Sequence, residues 1–306
     1  MRILELAEIR RALDYGAVIE RMRAALMAQA AGECETPMPM HLDVGAGEVH
    51  IKSSYRRGGR YFALKMASTF PGNSARGIPT GNGMMLLCSA ETGEPVALLQ
   101  DEGHLTDVRT AAAAAMTARE LGCAGRTLGI LGTGVQARLQ ARMLAEVLPL
   151  EAIWIWGRTR ERAEQCLGEL QQALPGVRIL MADSPARVAR ECRLIVTATS
   201  SRAPLLMAAD VRAETRILAV GSDAPGKQEL DAAILREASL ILADSARQCQ
   251  KLGELQHAPG EWGRAIEIGA FCRKPAAADG MVVCDFTGLG VEDLYIAESC
   301  YENRPV

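Results

Sequence analysis

The sequence predicts an α/β protein built on a doubly wound parallel sheet and accompanied by a discontinuous α+β domain. Three observations carry that prediction. After Gly125, short continuous apolar runs alternate with helix-length segments, the signature of parallel strands covered on both faces. The first of these runs opens straight into a glycine-rich turn and then a helical segment. Upstream, from Glu48 to Leu99, the texture is one of β-like runs separated by turn residues, with a long Ala-rich helix behind them. A length of 306 residues is enough for two domains, each with its own core. With 49% hydrophobic and 23% charged residues, the chain is neither disordered nor fibrous. Its 34 basic and 37 acidic side chains nearly cancel, so no positive field favours nucleic acid or an anionic membrane. Small molecules or protein are the expected partners.

Ile3, Leu4, Leu6, Ile9, Leu13, Val18, Ile19, Met22, Ala25 and Leu26 stand at mostly helical spacing, broken at Tyr15-Gly16, which predicts two short helices. The same stretch carries Arg, Glu and Asp throughout, too many for a signal-peptide core or a membrane span, and a cytoplasmic location is expected. Runs at 49–55, 61–68 and 84–89 are punctuated by Arg57-Gly58-Gly59, Pro71-Gly72-Asn73 and Glu91-Thr92-Gly93-Glu94, and they predict an antiparallel meander. The helix that follows takes Thr106 as its N-cap, places Asp107 in its first turn and ends near Leu121, before Gly122. Parallel strands are then predicted at 127–131, 152–156, 177–181, 194–197, 216–220 and 240–243. A last helix from Gly290 to Tyr301 crosses back to the first domain, which sets the domains at residues 1–118 with 291–306, and at 119–290. Nine cysteines without a Cys-x-x-Cys pair read as reduced core thiols. Four histidines without His-x-x-x-His spacing give no metal site.

The glycine-rich turn is Gly132-Thr133-Gly134-Val135-Gln136-Ala137, a Gly-x-Gly-x-x-Ala motif between strand and helix. Gly132 permits the tight turn, Gly134 lets backbone approach a pyrophosphate, and Ala137 allows close packing, while the helix N-terminus offers N–H donors to phosphate. This is the phosphate-binding turn of a Rossmann-type domain. The ends of later strands, Thr197-Ala198-Thr199 and Val220-Gly221, fall at the same carboxyl edge and are assigned to the cofactor site. An NAD site usually places a carboxylate at the end of its second strand. Here Gly157-Arg158-Thr159-Arg160 follows, so NADP(H) is expected over NAD(H), with the 2′-phosphate held by Arg158, Thr159 and Arg160. A solvated basic turn is the competing reading.

Three further residues invite chemistry, each beside a plainer reading. Lys65 lies inside Phe62-Ala63-Leu64-Lys65-Met66-Ala67, where burial would favour its neutral form and make it a polarising group; an edge-strand lysine that blocks aggregation fits equally. Arg109 sits just past Thr106 and would hold a carboxylate beside a helix N-terminus, or else pair with Asp107 or Glu120. Asp223 follows an expected strand at the carboxyl edge, where open α/β sheets bind ligands, and also suits an ordinary turn.

Taken in order, Lys65, Pro71-Gly72-Asn73, Gly77-Ile78-Pro79-Thr80, Glu91-Thr92-Gly93, Leu105-Thr106-Asp107-Val108-Arg109-Thr110-Ala111-Ala112, the Gly132–Ala137 turn, Ser222-Asp223-Ala224-Pro225-Gly226-Lys227 and Thr287-Gly288-Leu289 resemble the ornithine cyclodeaminase/mu-crystallin family. The resemblance spans almost the whole chain. It implies a homodimer whose discontinuous N-terminal domain, completed by the C-terminal helix, forms the dimer interface and faces a Rossmann domain across a cleft. It also implies that Lys65 and Arg109 bind the substrate carboxylate and polarise the reacting group, that Asp223 transfers a proton, and that Thr287-Gly288-Leu289 lies near the nicotinamide.

Two departures bear on the substrate. His41 follows Pro39-Met40 where many members carry an arginine, and His50 stands where ornithine cyclodeaminase has a glutamate for the distal ammonium. On a strand, Lys52 shares a face with His50, so His41, His50 and Lys52 are assigned to the substrate and favour a neutral or anionic tail over a cationic one. The expected activity is an NAD(P)-dependent oxidoreductase acting at the C–N bond of a small amino acid or its imine. A cyclodeaminase that recycles bound NAD and a non-enzymatic NADPH-binding crystallin are the alternatives.

Overall fold

The computed structural model describes residues 1–275 and 278–302, and positions 303–306 of the expected first domain lie outside the described residues. The chain divides into two compact units, one running from Met1 to Arg109 and resuming at Leu289, the other Thr110–Gly288. The division falls inside a helix, earlier than the 118/119 boundary read from the sequence.

In the first unit, β1 (Arg2–Glu5) leads into α1 (Leu6–Ala12) and α2 (Tyr15–Ala30). The break between the helices lies at Leu13-Asp14, not Tyr15-Gly16, because the Asp14 side chain caps α2 by accepting from the Ala17 N–H at 2.8 Å. Ile3 and Leu4 belong to a strand and not to a helix. Four residues are too few to show strand alternation, and β1 exists through its parallel pairing with a later strand.

Next come β2 (Cys34–Glu35), β3 (Met40–Asp43), β4 (Glu48–Arg56), β5 (Tyr61–Thr69), β6 (Gly81–Ser89) and β7 (Pro95–Gln100). The sheet order is β1-β7-β6-β5-β4-β2, with β3 also on β4, and β4 to β7 form the predicted antiparallel meander. Lys52 pairs with Lys65 across β4 and β5, and Lys65 with Met85 on β6. Because side chains alternate, this row shares a buried face with Ala63, Leu87, Ala97 and Leu99. The opposite face carries a second row, Met40, Ile51, Met66 and Met84, in which the three methionines are exposed.

α3 (His104–Glu120) follows. Its first turn is held by Asp101, whose Oδ2 accepts from the Leu105 N–H at 2.8 Å, so Thr106 lies within the helix and is not the N-cap. Gly122, at φ 63°, ends it as the sequence indicates.

The second unit alternates strand and helix: β8 (Thr127–Leu131), α4 (Val135–Val147), β9 (Ala152–Trp156), α5 (Arg160–Ala173), β10 (Arg178–Met181), α6 (Pro185–Glu191) and β11 (Leu194–Thr197). β12 (Arg202–Leu206), β13 (Arg216–Ala219), β14 (Gln228–Leu230), α7 (Ala232–Glu237), β15 (Leu240–Ala243), α8 (Ala246–Leu252), β16 (Ala265–Glu267), α9 (Ile268–Arg273) and β17 (Val282–Asp285) complete it. Eight strands form one parallel sheet in the order β10-β9-β8-β11-β13-β17-β15-β16. All six predicted strands are in it. β16 and β17 were not foreseen; β16 adds to the edge beyond β15, and β17 slots between β13 and β15 as a fully buried strand.

α10 (Gly290–Tyr301) returns to the first unit and packs on α2, β4, β5 and β6. It is apolar around most of its surface, and all its residues except Glu298 and Tyr301 are buried. Its entry depends on Gly290, since a Cβ there would lie 2.4 Å from the Ser53 carbonyl oxygen of β4. Gly290→Ala is therefore expected to destabilise the protein by about 1–3 kcal/mol, the cost of overpacking a close contact. Urea denaturation against the wild type measures it, and an unchanged midpoint would refute the contact.

Candidate active site

In the first unit the buried sheet face gathers charge. Lys65 is 2% exposed and Arg109 3%, while Lys52, beside Lys65 in register, is also buried. Their partners come from the first turn of α10. Arg109 donates through Nη1 to Glu292 Oε2 at 2.9 Å and through Nε to Asp293 Oδ1 at 3.1 Å. Lys65 Nζ lies 3.3 Å from the other oxygen, Asp293 Oδ2. β5 is an inner strand, which excludes the edge-strand reading of Lys65, and Arg109 gains two partners, Glu292 and Asp293, that the sequence did not name.

Burial pushes the Lys65 ammonium below its usual range, with Asp293 opposing the shift. Burial would raise the Asp293 carboxyl, but Lys65, Arg109 and Lys52 together hold it below the ordinary carboxylate range. Lys52, Lys65 and Arg109 thus all act on one buried carboxylate, a cationic grouping of the kind that holds a substrate carboxylate. Glu292 and Asp293 escaped the sequence reading. Their signal was two acids in a helix with no polar face.

His41 and His50 also come together. They are register partners on β3 and β4, with ring centroids 4.8 Å apart. Between them stands Glu48, whose Oε2 lies 3.2 Å from His41 Nε2 and 3.8 Å from His50 Nε2. Glu48 was not anticipated, although it is two residues from His50 on the same face.

The second unit arranges the dinucleotide residues at the carboxyl edge of its sheet. β8 and β11 are neighbours from which the chain winds in opposite directions, the switch point where such sheets bind ligands. Gly132 has φ 132°, and a Cβ on it would lie 2.5 Å from the Ala198 carbonyl oxygen. Gly134 stands at the N-terminus of α4, and Ala137 is buried. Arg138, anchored by Glu169, donates to the Thr133 and Gly134 carbonyls at 2.6 and 3.1 Å and turns the loop carbonyls inward. A backbone cradle without Cβ atoms at a helix N-terminus fits a pyrophosphate. Arg158, Thr159 and Arg160 are exposed beyond β9, and Arg160 pairs with Glu164 at 2.8 Å.

Strand-end residues named from the sequence are held by carboxylates the sequence did not disclose. Glu229 accepts from Thr197 Oγ1, Thr199 N–H and Thr199 Oγ1, each at 2.7 Å, and from Gly221 N–H at 3.0 Å. Glu254 accepts from the N–H groups of Glu229 and Leu230, and Asp285 from those of Glu254 and Leu255. Asp244 accepts from Thr287 N–H and Gly288 N–H at 2.7 and 2.6 Å. Burial pushes the Glu229 and Asp285 carboxyls up to about 7, against the pull of these donors. Asp223 is different in kind. It is half exposed on its turn and paired with Lys227 at 2.5 Å.

A parallel sheet with Gly-x-Gly-x-x-Ala at its switch point defines the second unit as a Rossmann-type dinucleotide-binding domain. The profile of the ornithine cyclodeaminase/mu-crystallin family matches residues 2–305, and the chain belongs to this family. It is 36% identical to an uncharacterized cyclodeaminase of Sinorhizobium fredii, over 99% of this chain and 95% of that protein. Thermococcus litoralis Δ1-pyrroline-2-carboxylate reductase, solved with NADH and L-proline, superposes with a TM-score of 0.91 at 25% identity, covering 99% and 97% of the two chains. The iminosuccinate reductase of Paracoccus denitrificans, solved with NAD+, gives 0.88 at 27% identity, over 99% and 96%. Among the described residues no helix is long and apolar enough to cross a membrane.

The raised carboxyls make stability depend on pH with a definite sign. In the unfolded chain these groups lose their protons near pH 4, while in the folded protein Glu229 and Asp285 keep them up to about 7. The folded state binds more protons in that window, so stability falls as pH rises through it. Glu229→Gln removes one such group and is expected to flatten the slope by up to about 1 kcal/mol per pH unit. Denaturant unfolding at intervals from about pH 5 to about pH 7 reads it, and an unaltered slope would count against the assignment.

Proposed function

We propose that this chain is an NAD(P)-dependent oxidoreductase acting at the C–N bond of a small amino acid, as an imine reductase or amino-acid dehydrogenase. The observation that carries this reading is the buried grouping of Lys52, Lys65 and Arg109 around Glu292 and Asp293. Arg109 and Lys65 hold the α-carboxylate, and the cluster's low exposure strengthens that attraction by excluding water. Asp223 exchanges the proton on the substrate nitrogen. A bound nicotinamide supplies or accepts the hydride at Cα.

The substrate tail is neutral or anionic, with His41, His50 and Lys52 toward it. The relatives named above as reductases of iminosuccinate and of pyrroline-2-carboxylate act on compounds of that kind. A cyclodeaminase needs a carboxylate for the distal ammonium. The carboxylate on this strand face is Glu48, which His41 and His50 already engage.

The assembly is a homodimer. The outer face of the first unit's sheet supports this, since Leu64, Met66 and Met84 are 36–40% exposed and Met40 and Leu42 more so, an apolar surface of the kind that copies of one chain bury. The protein acts in the cytoplasm.

Absorbance of reduced nicotinamide, followed with imines of oxaloacetate and pyruvate, a cyclic ketimine, ornithine and lysine, tests the reaction. Net oxidation with the imines, and a lower kcat/KM for the basic amino acids in the reverse direction, is expected. Ammonia release without net absorbance change would instead make the chain a cyclodeaminase, and tight cofactor binding without turnover would make it a crystallin-like binder. Asp223→Asn is expected to lower kcat by about 10²–10⁴-fold while leaving cofactor affinity intact.

The cofactor preferred is NADP(H). The turn that ends β9, Gly157-Arg158-Thr159-Arg160, holds no carboxylate, and Arg158 and Thr159 are exposed there to meet a 2′-phosphate. Arg158→Ala should weaken NADPH binding by about tenfold or more and leave NADH binding unchanged. Parallel fluorescence titrations decide it, and tighter NADH binding by the wild type would overturn the preference.

A further inference from the structure

The β3–β4 ribbon holds a constellation of ligand atoms that includes the two histidines placed toward the substrate tail and goes beyond that role. His41, Glu48 and His50 each present one ligand atom, and the three lie within 4.8 Å of one another. Linear spacing conceals the set because it is drawn from two strands. His41 faces His50 across the ribbon, and Asp43 faces Glu48 one pair further on, so all four side chains share a face.

The turn pins that register. Val44 N–H donates to the Gly47 carbonyl at 3.0 Å, Gly45 takes a φ of 78°, and its N–H donates to Asp43 Oδ1 at 2.7 Å. Asp43 is thereby committed to the turn, and the two imidazoles and Glu48 are left as the convergent set.

We propose that His41, Glu48 and His50 form a binding site for one divalent transition-metal ion of the zinc class. Around an ion with ligands at about 2.0–2.1 Å in a tetrahedron, neighbouring ligand atoms stand about 3.3 Å apart. The separations of 3.2 and 3.8 Å from Glu48 Oε2 to the two Nε2 atoms bracket that value, and the two histidine ligand atoms lie within 4.8 Å of each other. Two neutral imidazoles and one carboxylate select zinc, cobalt, nickel or copper over magnesium or calcium, which require oxygen donors. The ion also answers a local electrostatic need, because it places positive charge against Glu48 without protonating either histidine.

Three protein ligands leave a coordination position open for water or for an anionic group. The site faces the same side of β4 as Lys52, two residues along, so that position opens toward the cationic cluster's face of the sheet.

The site is tested on the whole protein, stripped with a chelator, by titrating Zn2+ calorimetrically and Co2+ by visible absorption at neutral pH. One equivalent is expected, with a cobalt spectrum of four-coordinate N/O type and no thiolate charge-transfer band. His41→Ala and His50→Ala should each weaken binding by at least the ~10–100-fold that loss of an outer-shell partner costs, and Glu48→Gln should weaken it as well. Cys123→Ser, at the cysteine that is not fully buried, should leave binding unchanged. Histidine ring NMR of the wild type keeps the test independent of variant folding: zinc should shift the ring signals of His41 and His50 and spare His104 and His257. Absence of stoichiometric binding, binding that survives loss of both His41 and His50, a thiolate band, or shifts at the other two histidines would each overturn the proposal.

Discussion

Arg109 and the carboxylates of Glu292 and Asp293 bring together stretches of chain 183 and 184 residues apart, in the dry interior of the first unit. The chain leaves that unit at Arg109 and re-enters it at Leu289, so the ion cluster closes the unit at the point where the second unit is inserted. Lys65, from the middle of the sheet, binds the same Asp293. Breaking one partner of such a cluster leaves an uncompensated buried charge, which costs about 3–5 kcal/mol. α10 is consequently a structural part of a domain whose other elements all precede Thr110. Gly290 serves the same end, since the helix can bring its first turn to the cations only by lying directly against the β4 backbone.

The second unit solves a related problem with the opposite arrangement. At the carboxyl edge of a parallel sheet the strands diverge, and their last N–H groups have no ladder partners. Buried carboxylates supply them: Asp285 holds the backbone at Glu254, Glu254 holds the backbone at Glu229, and Glu229 holds Thr199 and Gly221. Each acid fixes the main chain that carries the next. The strand ends that flank the phosphate turn are thereby rigid before any ligand arrives, and preorganised donors are what make an anion site effective. The unfavourable term is desolvation, visible in carboxyls raised to about 7.

Periodic and local features were legible in the sequence. Six strands of the second unit, the strands of the meander, the last helix and the phosphate turn each announced themselves in short runs of no more than a dozen residues, because alternation, apolar runs and glycine placement are local. β1 and β17 were not legible, one being too short to show a period and the other lying in a run that follows Gly280 without a helix-length segment of its own. The Thr106 cap was misjudged because an aspartate further upstream, Asp101, reaches Leu105 through a turn with positive φ at Glu102 and Gly103. Of the site, the cations were legible as charges in apolar strands or helices. Their counter-charges were not, since Glu292, Asp293, Glu48 and Glu229 gain meaning only from partners that the fold brings near.

The composition of the cationic cluster carries a further implication. If its task were only to seat α10 on the sheet, apolar side chains of similar volume would do so with no desolvation penalty, and such replacements are often neutral or stabilising. A minimal ionic latch would need one cation for each acid. This cluster instead places a third cation, Lys52, directly beside Lys65, where like charges in register repel. Lys52 also acts on the Asp293 carboxylate, so three cations converge on one acid of α10. The same two acids that anchor the helix therefore also set the direction in which Lys65 and Arg109 can reach.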